Sequence, residues 1–389
     1  MVILVCNSGS SSLKFSVYET DGSAEQEITA GAFEEIGGPS SAFTIKKPGN
    51  STKINIPDHT HAARILVDFL HSYDFQGQIK AIGHRIVHGG RDFVQPCRIE
   101  ENVLGKLESF IPFAPDHLPQ ELSIIRQLEK AFPGIPQVAC FDTAFHRTMP
   151  LRTQRFALPT SLYDEGVIRY GFHGLSCEYV ISKLREQDNR MVNGRIIIAH
   201  LGNGASMTAV RGGISIETTM GFTPAGGLIM STRSGDLDPG VLVYLQREKK
   251  LTAAAINAMI NRQAGLLSLS EFSSDMKILL EHAPTDERAS LAVELFCYQS
   301  RKFIGALAAA LEGLDLLIFT GGIGEHAPQI RENICRRLSF LGIHLNTPRN
   351  EDNTDIISAA DSSVQVRVIQ ANEELMIARH TQRILENGL

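Results

Sequence analysis

An α/β fold built as two similar halves is what this sequence predicts, and three observations carry the prediction. Short apolar runs of strand type alternate with segments of helical period along the chain. One strand–turn–strand device is written twice: Val2-Ile3-Leu4-Val5-Cys6, Asn7-Ser8-Gly9-Ser10-Ser11-Ser12, Leu13-Lys14-Phe15-Ser16-Val17-Tyr18, and again Ile196-Ile197-Ile198-Ala199-His200, Leu201-Gly202-Asn203-Gly204-Ala205-Ser206, Met207-Thr208-Ala209-Val210. With 389 residues the chain is long enough for two domains, each with its own core. In both copies the turn residues are small. Backbone N–H groups and hydroxyls can therefore converge on an anion that a bulky side chain would keep away. A single Gly/Ser hairpin is usually only a turn; two of them in two similar halves point to one polyphosphate gripped in a cleft between domains.

The elements follow in order. Residues 1–19 read as a hairpin and 24–56 as further strands and loops, with Gly37-Gly38-Pro39 as a turn. Ala62, Ala63, Ile65, Leu66, Phe69 and Leu70 keep a helical period. Residues 81–87 and 137–141 are short strands ending in polar clusters, and Pro119 opens a helix with Leu122, Ile125 and Leu128 on one face. The second half begins after Pro150. Its hairpin at 196–210 is followed by residues 220–240, too rich in Gly, Pro and Ser for regular structure. A long helix over about 287–311 feeds the strand 314–319 and then Thr320-Gly321-Gly322-Ile323-Gly324-Glu325. The alternating strand 364–370 precedes a closing helix from Asn372, whose Glu373 and Glu374 suit a helix N-terminus. The domain reading is residues 1–148 plus 374–389 for the first half and 149–373 for the second.

Composition narrows the function. The chain is 43% hydrophobic and 21% charged, ordinary for a globular protein. A net charge of −6 argues against nucleic acid or a polybasic membrane surface as partner, so an anionic ligand must be held by local cations. The six cysteines show no paired spacing and read as free thiols of a reducing compartment. Met1 leads directly into a core-like strand and no apolar run approaches the ~20 residues of a membrane span, which predicts a cytoplasmic location.

Several clusters can carry chemistry. Lys14 adds a fixed positive charge to the first turn, which is not a Walker A loop. His84-Arg85-Ile86-Val87-His88-Gly89-Gly90 stands at a strand end, where α/β proteins place ligands, and an arginine there can grip carboxylate or phosphate bidentately. The two histidines also admit a zinc reading, weakened by their wide spacing on a strand and the lack of a partnering Glu. Asp142, between Phe141 and Phe145 in sequence, can orient a nucleophile, hold Mg²⁺ through water, or simply cap the next turn. His173 lies between glycines in Tyr170-Gly171-Phe172-His173-Gly174, and Arg233 in the Gly-rich loop Thr232-Arg233-Ser234-Gly235; taken alone, the first reads as a satisfied structural histidine and the second as solvated surface. Gly321-Gly322-Ile323-Gly324 can admit a nucleotide against bare backbone but lacks dinucleotide spacing.

Taken in order, Asn7-Ser8-Gly9-Ser10-Ser11-Ser12-Leu13-Lys14, Gly83 through Gly90, Phe141-Asp142-Thr143-Ala144-Phe145-His146, Tyr170 through Gly174, His200-Leu201-Gly202-Asn203-Gly204, Met220-Gly221-Phe222-Thr223-Pro224, Thr232 through Gly235, Gly322-Ile323-Gly324-Glu325 and Asn372-Glu373-Glu374-Leu375 resemble the acetate kinase family over essentially the whole chain. The resemblance implies a duplicated actin-like ATPase fold shared with sugar kinases, Hsp70 and actin. It also implies reversible phosphoryl transfer between ATP and acetate with Mg²⁺ or Mn²⁺, and a homodimer. By the same resemblance Arg85 and Arg233 bind carboxylate and phosphoryl, His173 stabilises the transition state, Asp142 is the active-site acid and Lys14 contacts phosphate. Asn7 and Glu373 hold the metal. His200, Leu201, Gly202, Asn203, Gly204, Gly322, Ile323, Gly324, Glu325 and His326 line the ATP site, with Asp275, Met276 and Lys277 near the adenine. Val87, Phe172 and Pro224 form a small acyl pocket.

The chain departs from that pattern in places. Asp116 stands where the family usually has an apolar pocket residue, and Leu118 where it has Asn. Leu175 and Cys177 replace Thr and His, His326 replaces Asn, and Met276-Lys277 replaces Phe-Arg. Substrate identity is therefore open between acetate, propionate and another short or polar-substituted carboxylate. A non-catalytic nucleotide-binding regulator of the same fold is the competing class.

Overall fold

In the computed structural model, which describes residues 1–21, 24–46, 49–73, 75 and 77–386, the first apolar run becomes β1 (Val2–Ser8), antiparallel to β2 (Leu13–Thr20). β3 (Glu25–Glu34), β4 (Ala42–Ile45) and β5 (Asn50–Lys53) continue the antiparallel edge. On the other side β6 (Ile79–Ile86) lies parallel to β1, and β8 (Gln137–Phe141) parallel to β6, with the short β7 (Cys97–Arg98) outside it. Among the described residues this sheet has the order β5-β4-β3-β2-β1-β6-β8-β7. The second sheet, β11-β10-β9-β12-β13, is built from β9 (Arg195–Leu201), β10 (Ala205–Arg211), β11 (Ile214–Thr218), β12 (Leu316–Thr320) and β13 (Gln365–Val368).

The duplication extends from hairpin to sheet. β3-β2-β1-β6-β8 and β11-β10-β9-β12-β13 share one plan: two antiparallel steps on one side of the leading strand, two parallel steps on the other. This is the duplicated actin-like ATPase fold that the resemblance implies. The parallel strands β8 and β12 are buried at every position, which explains why both read as unbroken apolar runs rather than alternating ones.

Seven helices carry or brace the chemistry-bearing residues: α1 (His59–Ser72), α2 (Leu118–Ala131), α3 (Gly174–Asp188), α4 (Met276–His282), α5 (Glu287–Leu311), α6 (Gly321–His326) and α7 (Glu373–Glu386). α1 starts at Asp58, whose carboxylate accepts the His61 N–H at 2.8 Å. Its face of Ala62, Ala63, Leu66, Phe69 and Leu70 joins Leu4, Leu13, Phe15, Val17 and Phe33 in the core of the first unit. Residues 220–238 carry neither helix nor strand, and a helix begins only at Pro239, capped by Asp238. All six cysteines are free, and five are buried.

Contacts divide the chain into two units. One comprises the described residues of Met1–Phe145, Gly174–Tyr179 and Asn372–Leu389, the other His146–His173 and Val180–Ala371. In the first, α7 packs on β1, β6 and β8; in the second, α5 packs on β9, β10 and β11.

Candidate active site

In the first unit the parallel strands β1, β6 and β8 end side by side, and their ends carry Ser8, Arg85, Val87 and Asp142. Arg85 Nε and Nη2 donate to the same Asp142 carboxylate oxygen at 3.0 and 2.5 Å, and Nη1 donates to the Ser8 carbonyl at 2.8 Å. Asp142 is wholly buried. Its main chain is fixed at both groups: its N–H donates to Ile86 O and its carbonyl accepts from Gly174 N–H, each at 2.9 Å. Burial works against the Arg85 charge, but Asp142 and then Glu373 outweigh it and hold the guanidinium above its ordinary range.

The expected metal residues meet in the same unit. Asn7 Nδ2 donates to Glu373 Oε2 and to Glu374 Oε1, both at 3.0 Å. Asn372 Oδ1 caps α7 by accepting the Leu375 N–H at 2.9 Å, which places both acids in the helix's first turn. An amide and two carboxylates supply oxygen donors of the kind a hard divalent cation takes, so the residues fit Mg²⁺. Lys14 pairs with Asn7 across the hairpin and is exposed.

One residue here is absent from the expected set. Glu121, in the first turn of α2, is 2% exposed, and its two carboxyl oxygens lie 3.2 and 3.1 Å from the Val87 N–H that they accept. Its only sequence signal is the phase it shares with Ile125 and Leu128, three and four residues apart along the buried face. An acid in that phase is ordinarily read as solvated. Burial, the largest influence, raises its pKa to about 8, with Arg85 and the Val87 N–H pulling the other way and Asp142 adding to the rise.

The second unit assembles the other half of the expected groups. His173 caps the start of α3 in the left-handed region, with φ 57°. Such a conformation is costly for a non-glycine residue and persists where the surroundings enforce it. Its Nδ1 is 3.0 Å from Ser206 Oγ, and its ring stacks on His200 with centroids 4.3 Å apart. A Cβ added to Gly204 would lie 3.1 Å from His173 Nε2 and 3.6 Å from Arg233 Nη1, so the bare glycine lets both side chains reach the second hairpin turn. Arg233 Nη1 also donates to Pro224 O at 3.3 Å, which brings that pocket residue beside it. Asn203 ties the Arg233 loop down through its carbonyl and side chain, accepting from Ser231 N and Oγ at 3.2 Å each.

His146 is a second positioning group that the sequence does not single out. Its Nε2 faces the Phe172 carbonyl at 2.9 Å and its Nδ1 faces Ser215 Oγ at 3.0 Å, which fixes the main chain just before His173. Burial lowers its pKa to about 4, the neighbouring Arg147 adding to the drop against the Phe172 hydrogen bond, so the imidazole is neutral at pH 7. The neutral ring donates from Nε2 and accepts at Nδ1.

The remaining nucleotide segments are distributed as follows. Gly321 lies against Leu201, and a Cβ on Gly202 would lie 3.8 Å from Gly322 N, so the turn after β12 abuts the second hairpin. Glu325 accepts the Gly321 and Ala371 N–H groups at 2.7 and 2.8 Å, a bracing role within the unit. Wholly buried Arg331 donates to the Gly324 and Glu325 carbonyls at 2.8 and 2.9 Å, closing the C-terminal end of α6. His326 is exposed. Asp275 caps α4 by accepting the Lys277 N–H at 2.7 Å, Met276 is buried, and α4 packs on α5; of these three residues Asp275 and Lys277 are exposed. Phe172 is buried; Val87 belongs to the first unit, and Phe172 and Pro224 to the second.

The model of the acetokinase family matches residues 2–379. The chain belongs to the acetokinase family. An acetate kinase of Rhodopseudomonas palustris is 43% identical over 397 aligned positions, spanning 100% of this chain and 99% of that protein. Among solved structures, an acetate kinase of Porphyromonas gingivalis superposes with a TM-score of 0.89 at 39% identity, covering 99% of both chains. A propionate kinase of Francisella tularensis gives 0.91 at 38% identity, covering 98% of this chain and 99% of the other. The match thus extends over nearly the whole of this chain and of each of these relatives.

Proposed function

We propose that this acetokinase transfers the terminal phosphoryl group of ATP reversibly to acetate, giving acetyl phosphate and ADP. The observation that carries the reading is that a full-length family member retains both arginines in built settings: Arg85 locked by Asp142 and Ser8, and Arg233 with His173 at Gly204. A carboxylate oxygen is already a competent nucleophile, so the chemistry asks for positioning and charge neutralisation rather than a strong base. Arg85 binds the carboxylate with Asp142 fixing its plane, while Arg233 and His173 neutralise charge on the moving phosphoryl group. Asn7 and Glu373 hold Mg²⁺ or Mn²⁺, which when bound screens the nucleotide's phosphates. Lys14 and the segments at 200–204 and 322–326 bind ATP, with residues 275–277 toward the adenine. The first unit is the acyl-substrate domain and the second the nucleotide domain.

A short-chain preference beyond acetate is the second reading, favoured by half-buried Asp116, whose carboxylate suits a substrate with a polar or cationic substituent. Two further features belong to the proposal. Among the described residues no helix is long and apolar enough to cross a membrane, which supports a cytoplasmic enzyme. The helix Pro239–Arg247 buries none of its residues and exposes Val241, Val243 and Tyr244, which supports self-association as a homodimer. The test is an acyl-hydroxamate assay with Mg-ATP across formate, acetate, propionate, butyrate and hydroxy acids. Acetate is expected to be the best substrate and propionate the next; inactivity with every carboxylate overturns the reading.

A further inference from the structure

Glu121 is a carboxyl group placed where an anion is least welcome. It is buried at the start of α2 and bound to the main chain of Val87, two residues from Arg85. Arg85 at the end of β6 and Asp142 after β8 act on it electrostatically, and Glu373 at the start of α7 acts on the same Arg85. Before its own helix begins, His117 accepts the Glu121 N–H on its carbonyl at 3.1 Å. Arg85 is already paired with Asp142 before any substrate arrives. A carboxylate substrate adds another negative charge, and an ionised Glu121 would add one more within a site screened from water.

We propose that Glu121 is a positioning residue for the carboxylate substrate: it holds the Val87 main chain at the acyl pocket wall, and it admits the substrate anion only while its own carboxyl carries a proton. The proposal rests on the acetate kinase reading and deepens it. The geometry gives both parts. The Val87 N–H lies just beyond the last residue of β6, where the sheet ladder no longer supplies an acceptor, and the Glu121 carboxyl takes that place. Because the same carboxyl is buried near Arg85, its charge state and the affinity for an anion at Arg85 are coupled: each negative charge disfavours the other. Burial raises the pKa of Glu121 and the nearby Asp142 charge adds to the rise, the direction in which a bound anion would push it further.

The experiment compares wild type, Glu121→Gln and Glu121→Leu over pH 6.5 to 9.5, reading KM for acetate, KM for ATP and kcat separately. Glutamine imitates the neutral acid and keeps an acceptor for Val87; leucine keeps bulk and removes the acceptor. Wild-type KM for acetate is expected to rise about tenfold per pH unit above the Glu121 ionisation, with KM for ATP flat. The Gln variant is expected to lose that rise, and the Leu variant to show a raised acetate KM at every pH that Gln restores. A Gln variant with the wild-type profile, or a Leu variant with wild-type acetate KM, overturns the proposal. Calorimetric acetate titration at pH 8.5 in buffers of different ionisation heat provides a readout without turnover. Proton uptake in wild type and none in Glu121→Gln upholds the assignment, and no uptake in wild type overturns it. A protein that binds acetate with proton uptake yet phosphorylates no carboxylate sinks the kinase reading and leaves Glu121's role standing.

Discussion

Keeping a carboxyl neutral at pH 7 costs stability, and Glu121 shows how much. In the unfolded chain it ionises near its ordinary value of 4.5, in the folded protein near 8. Between those values the folded state holds a proton that the unfolded state has released, so stability is full below the lower value and is lost as pH rises through the upper one. The loss is on the order of 5 kcal/mol once complete. Glu121→Gln is therefore expected to melt higher than wild type, with a gap that widens from pH 5 to 8 and then levels; a gap independent of pH would mean that Glu121 is already ionised in the native protein. The two arginines carry separate predictions. Removing Arg85 breaks its buried ion pair with Asp142, so Arg85→Ala is expected to lose about 3 kcal/mol or more of stability along with activity. Arg233 donates to Pro224 O and Met230 Sδ. Arg233→Ala is expected to lower kcat at least about 100-fold. Wild-type turnover in Arg233→Ala would remove it from the mechanism.

At the scale of elements, the two hairpins do unequal work with the same plan. The first turn closes over four residues, with Ser8 paired to Leu13, and the second over three, with Leu201 paired to Ala205. The shorter turn sets bare Gly204 against the side-chain tips of His173 and Arg233, both within 4 Å of where its Cβ would stand. Gly204→Val is accordingly expected to cut kcat by more than about tenfold while the sheet, and with it Tm, changes little; equal loss of both would mean the residue matters for folding alone. Both hairpins are legible in the sequence because apolar runs flank clusters of Gly, Ser and Asn, a local signal. So are α5 and the motif residues Arg85, Asp142, His173 and Arg233. α6 is not legible, since three glycines in six residues argue against a helix. It forms because Glu325 takes the Gly321 N–H and Arg331, six residues beyond Glu325, takes the closing carbonyls. Glu121 and His146 stay hidden for a related reason: their meaning lies in which distant backbone group they meet, and a helix phase or a lone imidazole does not encode that.

Over the whole molecule, each unit holds a buried, neutral histidine, and acid stability should register both. In the first unit His84 donates from Nε2 to Gln137 Oε1 at 2.6 Å, the amide being oriented by its own donation to Ile125 O. In the second, His146 bridges Ser215 and Phe172. Burial lowers each imidazole from 6.5 to about 4. Unfolded, both rings take up a proton near pH 6.5; folded, neither does until about pH 4, so the unfolded state binds more protons throughout that window. Stability is then fully present above pH 6.5 and drains away as pH falls toward 4, by up to about 3 kcal/mol for each ring. Ordinary carboxylates begin to titrate near the bottom of that range, so the informative interval is pH 6.5 to 5, read as the urea midpoint at constant ionic strength. Wild type is expected to lose stability steadily across it. His84→Gln, which keeps a donor for Gln137, is expected to halve the slope, and the added change His146→Gln to remove most of the remainder. Because the two rings lie in different units and bond to different groups, the two single effects should add. A wild-type midpoint that stays level from pH 6.5 to 5 would show that both histidines are already protonated in the folded protein.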